Sequence, residues 1–296
     1  MKHVDIQKNV LRAMHEGGFY DGLMAAGDEL DRVKHFLRIL DGKRDPEPGL
    51  PYQNPWMWPI FPGLRSQPVH ERVEGIGTEV LEEHFEVIRD EVLRLGNDLY
   101  VPYTTKTTGE EGDWSVFPLT YMGVKVDPLL GFCPETWRVV TSLPRTCYRY
   151  PWGDVLFSRH KPGTHLPAHC SVDNLRLRCH LPITVPAGPE IRVANGKYAW
   201  TEGKCFLFED SFEHEVWHHG DTNRLILILD FWHPDFTETE VRALTAGFRK
   251  REIREIFFEL RLSRAASEYR DFFLDAFRRE DDDDLIREFW PSAGGS

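Results

Sequence analysis

The chain of 296 residues has no run approaching twenty consecutive apolar residues, no CxxC pair, no internal repeat and no excess of positive charge. The first absence argues against a helical membrane span. The start, Met1-Lys2-His3-Val4-Asp5, lacks the hydrophobic region of a secretory signal, so the expectation is a soluble cytoplasmic protein with no membrane partner. The five cysteines, Cys133, Cys147, Cys170, Cys179 and Cys205, are odd in number and read as reduced thiols. A net charge of −12 argues against a nucleic-acid partner, and leaves open a neutral, cationic or carrier-linked small substrate. With 41% hydrophobic residues the chain can bury one large core, which suits a single domain.

Residues 5 to 42 read as helical with a break at Gly17-Gly18. The connector DPEPGLPYQNPWMWPIFPG, residues 45 to 63, holds too many prolines to be one helix, and its Trp56 and Trp58 are expected to cover the core rather than line a substrate mouth. Helix resumes near Gly77 and runs to Leu95, with Val80, Leu81, Phe85, Ile88 and Val92 as its apolar positions. Strands and turns fill about 115 to 234, and a long helix follows from Glu238 to about Arg264, with Thr237 or Thr239 as N-cap. Beyond it lie the amphipathic segment ASEYRDFFLDAFRRE, the acidic run Asp281 to Asp284 and LIREFWP. The tail aromatics are expected to pack first on the β core, second on another subunit, which would give a homodimer through the C-terminal helices, and third over the substrate. The organisation expected is one domain: a helical and proline-rich flank over 1–110, a β core over 111–236, and C-terminal helices with an acidic tail over 237–296.

Three residues stand out within the strand-rich region. His169 lies in PGTHLPAHCSVDN, His214 in FEDSFEHEVW and Arg224 in NRLILILDFWHP. Two neutral imidazoles can hold a divalent iron, and a buried arginine can anchor a dicarboxylate by a bidentate contact. Spacing alone decides little, because the chain has 13 histidines and an isolated pair is more often structural. The alternation in Leu175-Arg176-Leu177-Arg178-Cys179-His180-Leu181 puts Arg176, Arg178 and His180 on one strand face, with a solvated outer face as the bland alternative. In the next alternation Arg224, Ile226, Ile228 and Asp230 oppose Leu225, Leu227, Leu229 and Phe231. An arginine in line with two isoleucines needs an anion if it is buried: a cosubstrate carboxylate, or an Asp or Glu of the protein. His165 and His169 have the spacing of zinc ligands on a helix, but Pro162, Gly163 and Pro167 make a helix there a poor reading. His218 and His219, beside the turn signal Gly220-Asp221, read as exposed loop histidines.

Across residues 150–236 the phrases FSRHKPGTH, LRLRCHLPI, IRVANGKYAWTEGKCFLFEDSFEHEVWH and NRLILILDFWHP resemble the aspartyl/asparaginyl β-hydroxylases, Fe(II)- and 2-oxoglutarate-dependent oxygenases. A weaker likeness extends upstream through FPGLRSQP, EVIRDEV and GDWSVFPL. The resemblance implies a mostly β core, a double-stranded β-helix (jelly roll) with N-terminal and C-terminal flanking helices. It also implies that His169 and His214 bind iron, that Arg224 and Ser158 hold the distal carboxylate of 2-oxoglutarate, and that Arg178 with His180 holds the carboxylate beside the keto group.

Most of the wider superfamily carries a carboxylate two residues after the first histidine, and here that position is Ser171. The hydroxylases this chain resembles also lack that acid, so a two-histidine centre is expected; Asp173 could approach only through a loop. The function implied is hydroxylation of an unactivated C–H with Fe(II), 2-oxoglutarate and O2, on a free or carrier-linked amino acid or another small biosynthetic intermediate. The competing readings are a radical halogenase, which also has a small residue in place of the acid, and a non-catalytic β-helix that binds a ligand.

Overall fold

The computed structural model describes residues 3–103, 113–261, 271, 274–275 and 284–290. Its centre is two antiparallel sheets facing each other. The strands are β1 (Val69–His70), β2 (Val101–Pro102), β3 (Trp114–Pro118), β4 (Thr120–Tyr121), β5 (Val124–Lys125), β6 (Val155–His160) and β7 (His165–His169). They continue with β8 (Arg176–Thr184), β9 (Pro189–Val193), β10 (Gly196–Tyr198), β11 (Phe206–Phe208), β12 (His214–His218) and β13 (Arg224–Trp232). The larger sheet has the order β1-β11-β8-β13-β6-β3-β2 and the smaller β10-β9-β12-β7, with β4 and β5 a separate hairpin. From β6 onward the chain passes repeatedly from one sheet to the other, which is the strand order of a jelly roll.

The N-terminal flank is not purely helical as expected. It supplies β1 to one edge of the larger sheet, against β11, and β2 to the other, against β3. Such short strands cover the sheet edges that would otherwise present unpaired backbone groups.

The alternation read in 224–232 is observed in β13, although all nine residues are buried. Leu225, Leu227, Leu229 and Phe231 face outward into an apolar layer with Phe117, Phe157, Leu177 and Leu181. That layer is closed by Leu81 of α4 (Thr78–Glu83), Ile88 and Val92 of α5 (Phe85–Leu93), and Val139 and Val140 of the helix Pro134–Ser142. Ile226 and Ile228 face the other way, into the space between the sheets, with Leu166, Ile191, Val193, Phe208, Phe212 and Val216. The helix expected over 77–95 is therefore two, broken at His84.

Glu91, from the motif EVIRDEV, lies buried on α5 and accepts from the backbone N–H groups of Glu135 and Thr136 at 2.8 and 2.7 Å and from the Thr136 hydroxyl at 2.7 Å. A carboxylate from one helix thus satisfies the orphan donors at the start of another and complements its dipole.

A second helical group covers one end of the jelly roll. It comprises α1 (His3–Glu16), α2 (Phe19–Met24), α3 (Asp31–Leu40), the helices Glu238–Arg249 and Arg251–Arg261, and the last helix, Asp284–Phe289. The long helix expected from Glu238 is interrupted at Lys250, whose ψ of 137° leaves the helical region, while Thr237 caps its start in a capping box with Glu240. The tail's Ile286 and Trp290 pack on the chain's own helices rather than on the β core. Trp290 stacks on Phe19 at 4.8 Å and donates its indole N–H to the Ala246 carbonyl. The segment ASEYRDFFLDAFRRE and the acidic run to Asp283 lie almost wholly outside the described residues. Trp58 is buried against Phe248 and Phe257, as expected of a covering aromatic, whereas Trp56 is 44% exposed. Among the described residues no helix is long and apolar enough to cross a membrane.

Because Glu91 caps a helix through two backbone donors and one hydroxyl, Glu91→Ala should destabilise the protein by about 1–3 kcal/mol, the cost of stranding buried donors. Urea denaturation measures this, and an unchanged midpoint would remove Glu91 from the cap.

Candidate active site

His214 starts β12 and alternates inward with Val216 and His218. On β7 the parity is less simple. His165 pairs with Trp217 and Leu166 with Val216, yet the next pair is His169 with His214, three residues on in β7 against two in β12. The additional residue is a β-bulge at Pro167–Ala168. It turns His169 to the inner face while His165 stays outside, stacked on Trp217 at 5.6 Å and bonded to Glu215 at 2.8 Å. The helical zinc spacing of His165 and His169 is thus excluded: the two lie on a strand and face opposite ways.

The rings of His169 and His214 lie 4.2 Å apart, centroid to centroid. Each Nδ1 meets the backbone carbonyl two residues back, His169 on Pro167 at 2.7 Å and His214 on Phe212 at 2.9 Å. A carbonyl only accepts, so both Nδ1 atoms carry the proton and both Nε2 lone pairs are available, the arrangement a metal requires. Burial lowers the pKa of both rings, and each is lowered further by nearby cationic groups, so neutral imidazole is favoured. The donor set fits a divalent metal that takes its remaining ligands from cosubstrate and solvent. Among the described residues no group of three His, Cys, Asp or Glu side chains could hold a metal.

Ser171 and Asp173 are both committed elsewhere. The Ser171 hydroxyl accepts from Arg176 Nη2. Asp173 is fully buried, accepting from the Tyr150 hydroxyl and the Leu175 N–H at 3.0 Å each and lying 3.4 Å from Arg176 Nε. Burial raises its carboxyl above the ordinary range. Direct ligation by Asp173 therefore finds no support in its contacts.

Arg176, Arg178 and His180 share the inner face of β8, so the solvated-face alternative is wrong. Arg178 forks onto Asp230, with Nε and Nη2 each at 2.9 Å, and Nη2 also reaches Asp154 at 2.9 Å. Arg176 Nη1 reaches Asp210 at 2.9 Å and Asp230 at 3.2 Å. The clamp expected of Arg178 is thus largely occupied by the protein's own acids. His180 accepts the Trp200 indole N–H at Nδ1, 3.2 Å, which in the neutral ring places its proton on Nε2. Asp210, four residues before His214, keeps Oδ1 buried without a hydrogen-bond partner, and its charge acts on His169.

The opposite end of the inner face has another character. Arg224 is buried and pairs across the strands with His160; Ser158 is two residues along, opposite Ile226. Arg224 Nε and Nη1 are buried with no hydrogen-bond partner, and the guanidinium lies 4.6 Å from the Trp200 ring centroid. Burial alone pulls its pKa down to about 9, with no acid opposing. Of the two partners the sequence allowed this arginine, one is missing: no Asp or Glu among the described residues pairs with it. Ser158 Oγ accepts from Trp114 Nε1 at 3.0 Å, which leaves the hydroxyl proton available.

Two residues here escaped the sequence analysis. His160 is buried in β6, and Trp200 both fixes His180 and lies against Arg224. His218 is corrected: it ends β12 and is 1% exposed, accepting from the Gly220 N–H, while His219 is exposed as expected. The inward parity of His214 and Val216 would have placed His218 inside, had the strand been extended by two residues.

The inner face of this β core thus carries two inward imidazoles and a buried arginine with no acid partner among the described residues. The model of the aspartyl/asparaginyl beta-hydroxylase family matches residues 82–234, just over half of the chain, and the chain belongs to that family. Human aspartyl/asparaginyl beta-hydroxylase is 38% identical over 193 residues, covering 62% of this chain and 25% of that protein. Human aspartate beta-hydroxylase domain-containing protein 2 is 34% identical over 194 residues, 62% of this chain and 52% of that one. The ornithine lipid ester-linked acyl 2-hydroxylase of Rhizobium tropici is 34% identical over 181 residues, 58% and 62% respectively. The chain thus spans less than two thirds of each of these relatives.

Arg224→Met should stabilise the ligand-free protein by about 1–4 kcal/mol, the range seen when buried charges give way to apolar side chains, and should weaken dicarboxylate binding. A lower melting temperature in scanning calorimetry would contradict the unpaired state. Ser171→Asp should fail to tighten metal binding in a titration, because Arg176 already holds this side chain and would take the new carboxylate.

Proposed function

We propose that this chain is an Fe(II)- and 2-oxoglutarate-dependent hydroxylase on a double-stranded β-helix. The observation that carries the reading is the acid-free pocket around Arg224 on the same inner face as two histidines whose Nε2 atoms are available. Iron, when bound with 2-oxoglutarate and O2, supplies the oxidation of a C–H bond, one oxygen atom ending in succinate and the other in the alcohol, with release of carbon dioxide.

The chain's own residues orient and exclude. His169 and His214 hold the metal through Nε2, kept in that tautomer by the Pro167 and Phe212 carbonyls. Arg224 takes the distal carboxylate with Nε and Nη1, a fork that matches its geometry, and the Ser158 hydroxyl donates to the same group. His180 Nε2–H and Arg178 take the carboxylate beside the keto group. Ile226 and Ile228 line the wall between the two ends and keep water from the cosubstrate's methylene carbons.

The substrate proposed is an amino-acid-derived or other small biosynthetic intermediate, free or carrier-linked. In support, two of the similar proteins are named for an aspartyl, asparaginyl or aspartate unit, while the third is named for a lipid acyl group. A halogenase would require a halide beside the two histidines, and the small Ser171 next to the Arg176 cation is the feature that suits it. Halide dependence separates the two.

His169→Ala and His214→Ala should each abolish Fe(II)-dependent conversion of 2-oxoglutarate to succinate with little change in circular dichroism. Full turnover by either variant at ordinary iron concentration would end the metal assignment. The wild-type product should contain one atom from O2 by mass spectrometry and be the same without chloride; a chlorine isotope pattern would replace hydroxylase by halogenase.

A further inference from the structure

His160 is the least accounted-for side chain on the inner face. It is 1% exposed, and among the described residues neither ring nitrogen has a hydrogen-bond partner. Leaving a buried imidazole nitrogen unpaired forfeits its hydration without return, and two on one ring are rare in a native interior.

Its surroundings say what kind of partner is missing. In β6 it sits directly opposite Arg224 of β13 on one side and Trp114 of β3 on the other. The Trp114 ring meets it edge to face at 5.4 Å, and the same indole donates to Ser158. The charged and titratable groups acting on it are Arg224, His218 and His180, all basic, and together with burial they hold it well below its ordinary pKa. His218 differs in degree: its Nδ1 accepts the Gly220 N–H at the turn that follows β12, and only its Nε2 is left without a partner among the described residues. Among the described residues His160 therefore stands beside a guanidinium without an acid partner, with a ring N–H to give and no acceptor bonded to it. A negative acceptor brought to this basic setting would satisfy both groups.

We propose that His160 is a positioning residue for the cosubstrate, donating a ring N–H to the distal carboxylate that Arg224 clamps, with Trp114 holding both His160 and Ser158 in place. This rests on the 2-oxoglutarate reading above and extends it to residues of FSRH and GDWS that it does not use. The carboxylate's two oxygens offer about four acceptor sites, enough for Arg224 Nε and Nη1, the Ser158 hydroxyl and one imidazole N–H.

The test is calorimetric titration of 2-oxoglutarate into full-length protein loaded with Zn(II), which gives binding without turnover. His160→Phe should weaken binding about tenfold or more, as expected for a hydrogen bond to a charged group. His160→Gln keeps an N–H donor and should stay within about threefold of the wild type. Pyruvate lacks the distal carboxylate, so its affinity should be the same in all three proteins. In steady-state kinetics His160→Phe should raise KM for 2-oxoglutarate with kcat largely kept. Equal 2-oxoglutarate affinity in the wild type and His160→Phe would reduce His160 to a structural histidine and leave the Arg224 clamp standing. An equal loss for pyruvate, or no rescue by Gln, would also overturn the proposal. Failure of wild-type protein to bind 2-oxoglutarate would instead remove the cosubstrate reading on which it rests.

Discussion

The site depends on one buried electrostatic cluster. Arg176 and Arg178 of β8 are pinned between Asp230 of β13, Asp154 just before β6 and Asp210 just before β12. Arg176 also holds the Ser171 hydroxyl, and the Ser171 N–H donates to the Asp210 carbonyl at 2.7 Å. Through these bonds the segment that follows His169 and the segment that precedes His214 are tied to each other and to the larger sheet. Two strands of the smaller sheet thereby present their histidines in a fixed relation. Breaking one member of a buried charge network leaves its partners uncompensated, at about 3–5 kcal/mol, so the geometry of the metal site and the stability of the jelly roll are one constraint.

The inner face is polarised by what its arginines meet. Arg176 and Arg178 sit among acids, which raise their pKa values against the cost of burial. Arg224, on the neighbouring strand with its side chain on the same face, has no acid acting on it among the described residues, and burial takes it down to about 9. On the reading proposed above, a bifunctional acid anchored at Arg224 would extend past Ile226 and Ile228 toward His180, His169 and His214. His180 feels Arg224 from one side and Arg178 and His214 from the other, which places it between the two ends.

The parts of this arrangement legible in the sequence were those set by local periodicity. The alternations over 175–181 and 224–231 identify the inner residues of β8 and β13, and Arg224 beside two isoleucines already demands an anion. The rest depends on pairs distant in the chain. That Arg178 is held by Asp230 and Asp154 follows from the register of β8 against β13 and from the approach to β6, neither of which spacing reveals. The bulge at Pro167–Ala168 reverses the parity that would otherwise put His169 outside. His160 looks like any polar strand-end residue until Arg224 is placed opposite it. His218 was misread because a turn signal close behind it suggested that the strand had already ended.

The proline-rich connector shows how the helical layer reaches the same site. Its backbone bonds to Ser211 and Glu213 through Asn54 and Tyr52, and to Ser171 and Val172 through Trp56 and Trp58. Gln53 bridges to Phe212 and donates to the Ser211 hydroxyl. Tyr52 adopts φ of 67°, a conformation that a bulky residue takes only when its surroundings compel it, and its side chain is left exposed. One stretch of chain therefore clamps the segments beside His169 and His214 and buries Trp58 among the C-terminal helices. A connector that cannot form a helix is suited to this role, because its backbone groups are free to bond outward on both sides.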